Sequence, residues 1–151
     1  MLAKYPEVER KVREEMREVI GDSLDNLDFE VLKRLTYLEK VQKETLRMYS
    51  PAAGIFLRQA VKDHYIGNIP VQKGMIVAIK MNPNHFKEEF YERPEVFDPD
   101  RWTKIDKSKV DPLSYFPFSS GQRNCIGQHL SLLESKIAVV SLLHRYTKID
   151  L

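Results

Sequence analysis

One stretch of the chain concentrates residue types that could do chemistry: Phe118-Ser119-Ser120-Gly121-Gln122-Arg123-Asn124-Cys125-Ile126-Gly127. Helical apolar spacing resumes at Ile126, so the pattern predicts a long helix over 125–144 with the cysteine at its N-terminus. There the sulfur would meet unpaired backbone N–H groups and the positive end of the helix dipole. Both favour the thiolate, the form of cysteine that ligates a metal. Arg123 adds a positive charge two residues earlier. Gly121 and Gly127 permit backbone turns or the close approach of a bulky planar group. A lone buried cysteine is the commoner arrangement, and Cys-x-Gly alone would carry no more than that. Glu44 and Arg47 stand three apart on a predicted helix, where they share a face and can pair; exposed, such a pair contributes only about 0.2–0.5 kcal/mol. His85 reads as structural, while His64, His129 and His144 are too dispersed in sequence to argue for a metal cluster. With a single cysteine there is no intrachain disulfide framework and no Cys-pair zinc site.

These residues need a scaffold, and the 151-residue chain predicts a mainly α fold with a small antiparallel β-sheet (α+β). Pro6 suits a first helical position, Val8, Val12, Met16, Val19 and Ile20 recur at helical spacing, and Gly21 supplies the stop. Asp25 or Asp28 can cap a short helix through Phe29, Val31 and Leu32. Thr36-Tyr37-Leu38-Glu39 reads as a capping box opening a helix that stops before Ser50-Pro51. Short β-branched and aromatic runs follow in 54–81, punctuated by Gly67-Asn68 and Lys73-Gly74. Segment 82–117 carries Pro83, Pro94, Pro99, Pro112 and Pro117 among aromatics and is expected to be irregular coil with short helical turns. The stripe Ile126, Leu130, Leu133, Ile137 and Val140, widened by Leu132, Val139, Leu142 and Leu143, predicts a final helix buried nearly all round. Tyr146 to Leu151 would then begin a strand. The organisation is therefore a helix pair (5–50), a small sheet (54–81), a proline-rich meander (82–117), the cysteine loop (118–127) and the long helix (125–144).

Composition removes other classes of function. Apolar residues make up 42% and charged residues 30%, with 6 Gly and 8 Pro, which excludes a collagen-like or wholly disordered chain. A net charge of +2, from 24 Lys+Arg against 22 Asp+Glu, gives no basic field for nucleic acid. The longest apolar run, Ile137 to Leu143, is interrupted by Ser141 and is too short to span a bilayer.

The ten-residue loop resembles the haem-binding loop of the cytochrome P450 family, Phe-x-x-Gly-x-Arg-x-Cys-x-Gly, with Ser119 where many relatives have glycine. The resemblance implies that Cys125 is the axial thiolate ligand of haem iron, that Arg123 pairs with a haem propionate, and that Phe118 packs against the sulfur. Lys43-Glu44-Thr45-Leu46-Arg47 resembles the family's Glu-x-x-Arg signature. Pro99-Asp100-Arg101-Trp102 is similar to its Pro-Glu-Arg-Phe segment, with Asp100 for Glu and Trp102 for Phe. By resemblance Arg101 joins Glu44 and Arg47 in a buried structural triad beneath the haem. Arg58 falls close to where relatives carry a second propionate-binding arginine, with a strand-surface arginine as the alternative. Together with the opening Leu2-Ala3-Lys4-Tyr5-Pro6-Glu7-Val8, the likeness runs along essentially the whole chain, and its wording is that of eukaryotic, microsomal-type members.

The implied cofactor is haem (iron protoporphyrin IX), and the implied activity is monooxygenation of a small lipophilic substrate with O2. Electrons would come from a reductase or ferredoxin, drawn by basic residues such as Arg123 and Lys136, unless Lys136 belongs to a solvated face. A haem-thiolate isomerase or lyase working without O2, and a nonfunctional fragment, are the alternatives. The likeness covers only the closing part of a family member. The expectation is a piece of a longer protein that lacks the distal oxygen-activating residues. Any membrane attachment, to the endoplasmic reticulum in a microsomal type, would come from an N-terminal anchor. Alone, such a piece is expected to expose apolar surface and to aggregate or bind haem weakly.

Overall fold

The computed structural model describes residues 1–51, 55–80, 82–105, 111–112 and 114–149. A 3-10 turn at Leu2–Lys4 leads into α1 (Pro6–Val19), followed by α2 (Phe29–Arg34) and α3 (Thr36–Met48). Strands β1 (Ile55–Gln59), β2 (His64–Ile66), β3 (Ile69–Val71) and β4 (Ile76–Lys80) come next. Two short helices, α4 (Asn82–His85) and α5 (Arg101–Lys104), interrupt the meander, and α6 (Gln128–Arg145) closes the chain.

The core is made by helix faces whose spacing was legible. Val8, Val12 and Met16 form the i, i+4 stripe of α1 and pack with Leu32, Leu35, Leu38, Val41, Phe97, Val140 and Leu143. Each fully buried aliphatic or aromatic side chain of this kind stabilises the fold by about 1.5–3 kcal/mol. Helix ends are closed across the fold. Asp28 caps α2 through its side chain, accepting from the Val31 amide at 2.8 Å. The start of α3 corrects the capping-box expectation: Thr36 is already helical, and the cap position falls to Leu35, a fully buried core residue with no polar side chain. The Glu15 carboxylate of α1 takes over, accepting from the Tyr37 and Leu38 amides at 2.6 and 2.9 Å. Two residues earlier on α1, Arg13 donates to the carbonyls of Leu143 and Tyr146, which closes the C-terminus of α6.

The β region consists of two two-stranded ladders and not one sheet. β1 pairs antiparallel with β4, Phe56 opposite Ile79 and Arg58 opposite Val77, while β2 pairs with β3 around a turn opened by left-handed Gly67 (φ +60°). The hairpin is inserted between the partners of the first ladder and so bonds only to itself; expected limits 54 and 81 lie outside the described residues. Residues 146–149 form no ladder, against the strand expected there, while 150 and 151 are not described. The long helix also departs from expectation. It begins at Gln128, three residues after the cysteine, with Gly127 at its cap. It is covered on one side only, Lys136, Val140 and Leu143 being buried while Leu130 and Leu142 are 60% and 51% exposed. Within this chain α6 packs chiefly on α2 and α3.

Candidate functional site

The site is built upward from α3. Glu44 and Arg47, one helical turn apart, are both fully buried, and the Arg47 guanidinium meets the carboxylate in a double contact, Nε to Oε2 at 3.0 Å and Nη2 to Oε1 at 2.8 Å. Arg101, the first residue of α5, donates from Nε to the same Oε1 at 2.9 Å. Two donors that sequence reasoning missed complete the carboxylate's shell: the Trp102 indole Nε1–H at 3.0 Å and the Asp98 amide at 3.0 Å. An indole N–H beside Arg101 was the available signal for the first, whereas a backbone amide leaves none. Burial pushes the Glu44 carboxyl upward, but the hydrogen bonds and charges of Arg47, the Asp98 amide and Arg101 outweigh it and hold the group below its ordinary value.

The remaining guanidinium donors go to the meander. Arg47 reaches the carbonyls of His85, Pro94 and Val96, and Arg101 those of Glu92, Arg93 and Val96. A proline-rich coil has few internal ladder bonds, so its carbonyls need such donors. His85 is fully buried, its Nδ1 3.1 Å from the Arg47 carbonyl oxygen and its Nε2 3.4 Å from the Phe116 amide. Burial holds its imidazole below the ordinary value, against the bond to the Arg47 carbonyl and with the help of the Arg47 charge. Tyr115 donates to the Lys43 carbonyl at 3.2 Å and packs edge-on against Trp102; burial raises its hydroxyl far above the usual tyrosine range.

The cysteine loop follows directly. Ser119 N–H donates to the Phe116 carbonyl at 3.0 Å, and Cys125 N–H returns to the Phe118 carbonyl at 2.8 Å, which closes the loop on itself. A 3-10 turn at Gly121–Arg123 lies between, with Gly121 left-handed at φ +80°. Ser119 is left-handed as well, at φ +67°. A side chain in that region costs roughly 1–2 kcal/mol relative to glycine. Ser119→Gly is therefore expected to stabilise the protein by up to about 1 kcal/mol, after the larger unfolded-state entropy of glycine is subtracted, as a raised denaturation midpoint with an unchanged slope.

Cys125, Arg123, Phe118 and Ser119 line a cavity of about 770 Å³ whose other walls include residues 1–3, α3, Phe56 of β1, α6 and Ile149. Gln42 ties two of those walls together, donating from α3 to the Leu132 carbonyl at 3.0 Å and to Ser135 Oγ at 2.6 Å. A side chain added at Gly127 would place its Cβ 3.9 Å from the cysteine sulfur, in ordinary van der Waals contact with it. Arg58 is exposed on β1, near the Phe56 ring but outside the cavity lining, its Nη1 bonded to the neighbouring Leu57 carbonyl. Lys136 corrects the docking expectation. It is buried, its Nζ donating to the Leu32 and Leu35 carbonyls at the end of α2 with Glu39 at 3.8 Å, because the C-terminus of α2 needs donors. Burial lowers its ammonium, opposed by the charges of Glu39 and Glu15.

A sequence model of the cytochrome P450 family matches residues 1–149. The chain belongs to the cytochrome P450 family. It is similar to "Probable cytochrome P450 6a14" of Drosophila melanogaster, 36% identical over 148 residues, covering 96% of this chain and 29% of that protein. It is 36% identical over 145 residues to "Cytochrome P450 4Z1" of Homo sapiens, covering 96% of this chain and 28% of that protein. To "Lithocholate 6-beta-hydroxylase" of Mesocricetus auratus it is 36% identical over 146 residues, covering 97% and 29%. The chain thus spans about three-tenths of the length of these curated relatives. Cytochromes P450 are haem-binding oxidoreductases, and the residues here fit that group. The cavity falls within the ~300–1,000 Å³ range of cofactor and ligand sites, a sulfur stands in its wall, and Arg123 offers a cation at its rim.

Proposed function

We propose that this chain forms the thiolate-ligand side of the haem site in a monooxygenase that acts on a lipophilic organic substrate. The observation that carries the reading is the Cys125 sulfur in the wall of a largely apolar cavity, on a loop closed by its own backbone hydrogen bond. When bound, haem supplies the activation of O2 with electrons from a donor. The protein's part is to hold the sulfur, exclude water and orient the group. Cys125 would be the metal ligand and catalytic residue, supplying the iron with an electron-donating sulfur. Phe118 shields the sulfur, Arg123 pairs with a propionate, Gly121 gives the loop its turn and Gly127 stands at the cap of α6. Arg58 is proposed as the second propionate partner. Glu44, Arg47 and Arg101 brace the meander against α3 and so hold the base of the loop.

The domain reading remains a partial cytochrome P450 domain over 1–151, with a reductase or ferredoxin as electron donor. For the whole protein we propose residence on the endoplasmic reticulum membrane through a segment ahead of this chain. No described helix is long and apolar enough to cross a membrane. Lithocholate 6-beta-hydroxylase of Mesocricetus auratus is by name a hydroxylase, the reaction class proposed here: substrate C–H, O2, two electrons and two protons give the alcohol and water. The test is turnover of the intact protein with reductase under isotopically labelled O2. One labelled oxygen atom in the product, strictly dependent on reductant, is the expected result. Turnover of a peroxide without reductant or label uptake would place the protein among isomerases or lyases instead.

A further inference from the structure

His85 touches both the Glu44 cluster and the segment that leads into the cysteine loop. His85 and Arg47 bind each other reciprocally: Arg47 Nη1 donates to the His85 carbonyl at 2.7 Å, and the His85 ring returns a bond to the Arg47 carbonyl at 3.1 Å. The far side of the ring, Nε2, receives the Phe116 amide. A backbone carbonyl can only accept and a backbone N–H can only donate, so these two partners dictate the neutral ring with its proton on Nδ1. The Tyr115 and Phe116 rings pack against the imidazole, with centroids 5.7 and 5.9 Å away. Pro117 has no N–H, which makes the Phe116 amide the last backbone donor before the loop closes at Phe118. The Phe116 carbonyl in turn anchors strained Ser119.

We propose that His85 is a positioning residue for the cysteine loop: its imidazole transmits the placement of Arg47 to the Phe116 amide and thereby sets where Cys125 stands against the cavity. The spectroscopic part of the test rests on the haem reading above; the rest does not. Two substitutions separate the ring's two bonds. His85→Gln can present an amide oxygen near the Nε2 position and accept from Phe116. His85→Asn can present an amide N–H near the Nδ1 position, satisfying Arg47 but leaving the Phe116 amide bare.

In the intact protein the two variants are expected to melt at similar temperatures yet diverge at the loop. His85→Asn loses haem on the order of ten times faster than His85→Gln and loses thiolate signature in its reduced carbon monoxide adduct, the factor that one orphaned buried donor supplies. Hydrogen exchange of the peptide containing Phe116 rises by a similar factor in the Asn variant alone. Equal haem loss and equal exchange in the two variants would overturn the proposal. Nitrogen NMR of the unsubstituted protein gives a check that needs no variant: a neutral His85 ring protonated at Nδ1 is expected, and an Nε2–H tautomer or an imidazolium at neutral pH would also overturn it. If the unsubstituted protein shows no thiolate signature, the haem reading fails, and the exchange and tautomer measurements still decide the role of His85.

Discussion

Cys125→Ser abolishes the thiolate-specific Soret band of the reduced carbon monoxide adduct while leaving the fold in place. The substitution exchanges one sulfur for one oxygen at an exposed position whose backbone N–H, not its side chain, closes the loop on Phe118. Surface changes of that kind stay within about 0.5 kcal/mol, so the thermal and denaturant midpoints of the haem-free protein should not move. Ligation is another matter. A thiolate is accessible near neutral pH, whereas a serine hydroxyl keeps its proton and offers no comparable anionic, electron-donating ligand. The optical spectrum of the intact protein, recorded beside the melting curve of its haem-free form, separates the two effects. A serine variant that kept the thiolate-type band would remove Cys125 from the iron and with it the proposed activity.

Glu44→Ala is the larger structural lesion, and it is expected to abolish haem incorporation and not merely turnover. The carboxylate takes five hydrogen bonds, two from Arg47 and one each from Arg101, Trp102 and the Asp98 amide. Deleting it leaves two guanidinium charges facing each other inside the protein without a counter-charge. Breaking one buried pair costs about 3–5 kcal/mol, set against a typical total stability of roughly 5–15 kcal/mol. The same cluster holds the meander carbonyls of Glu92, Arg93, Pro94 and Val96, so its collapse reaches the loop through His85 and Phe116. Glu44→Gln, which keeps the shape but turns one acceptor into a donor aimed at arginine, should lie between. Haem content per protein and the absorbance of the purified variants are the measurements. A Glu44→Ala protein that loads haem normally with unchanged absorbance would show that the cluster does not support the site.

Parts of this arrangement could be read before any coordinates. The helices of 5–50 announce themselves through i, i+4 apolar stripes and start and stop residues, all of which are local. The loop around Cys125 is legible because its residue types and spacing are dense enough to resemble one family. Its internal geometry is less so: the left-handed backbone at Ser119 violates a local preference and is held by neighbours. Lys136 shows the limit most clearly. Read in sequence it is an ordinary cation on a helix, but the C-terminus of α2 comes against it and takes it out of solvent. Thr36 fails for a related reason, since an apparent local cap lost its role when Glu15 arrived from another helix.

Residue order alone determined the helix stripes, the turns, the cysteine loop and the pairing of Glu44 with Arg47, because each depends on neighbours within a few positions. Tertiary structure decided that Arg101, 57 residues from Glu44, and Trp102 would share its carboxylate. It decided too that His85 would link α3 to Phe116, and that the cysteine would stand ahead of α6 and not within its first turn. Those contacts join distant segments through buried charges and backbone groups, whose partners are chosen by packing and by the cost of leaving any of them unbonded.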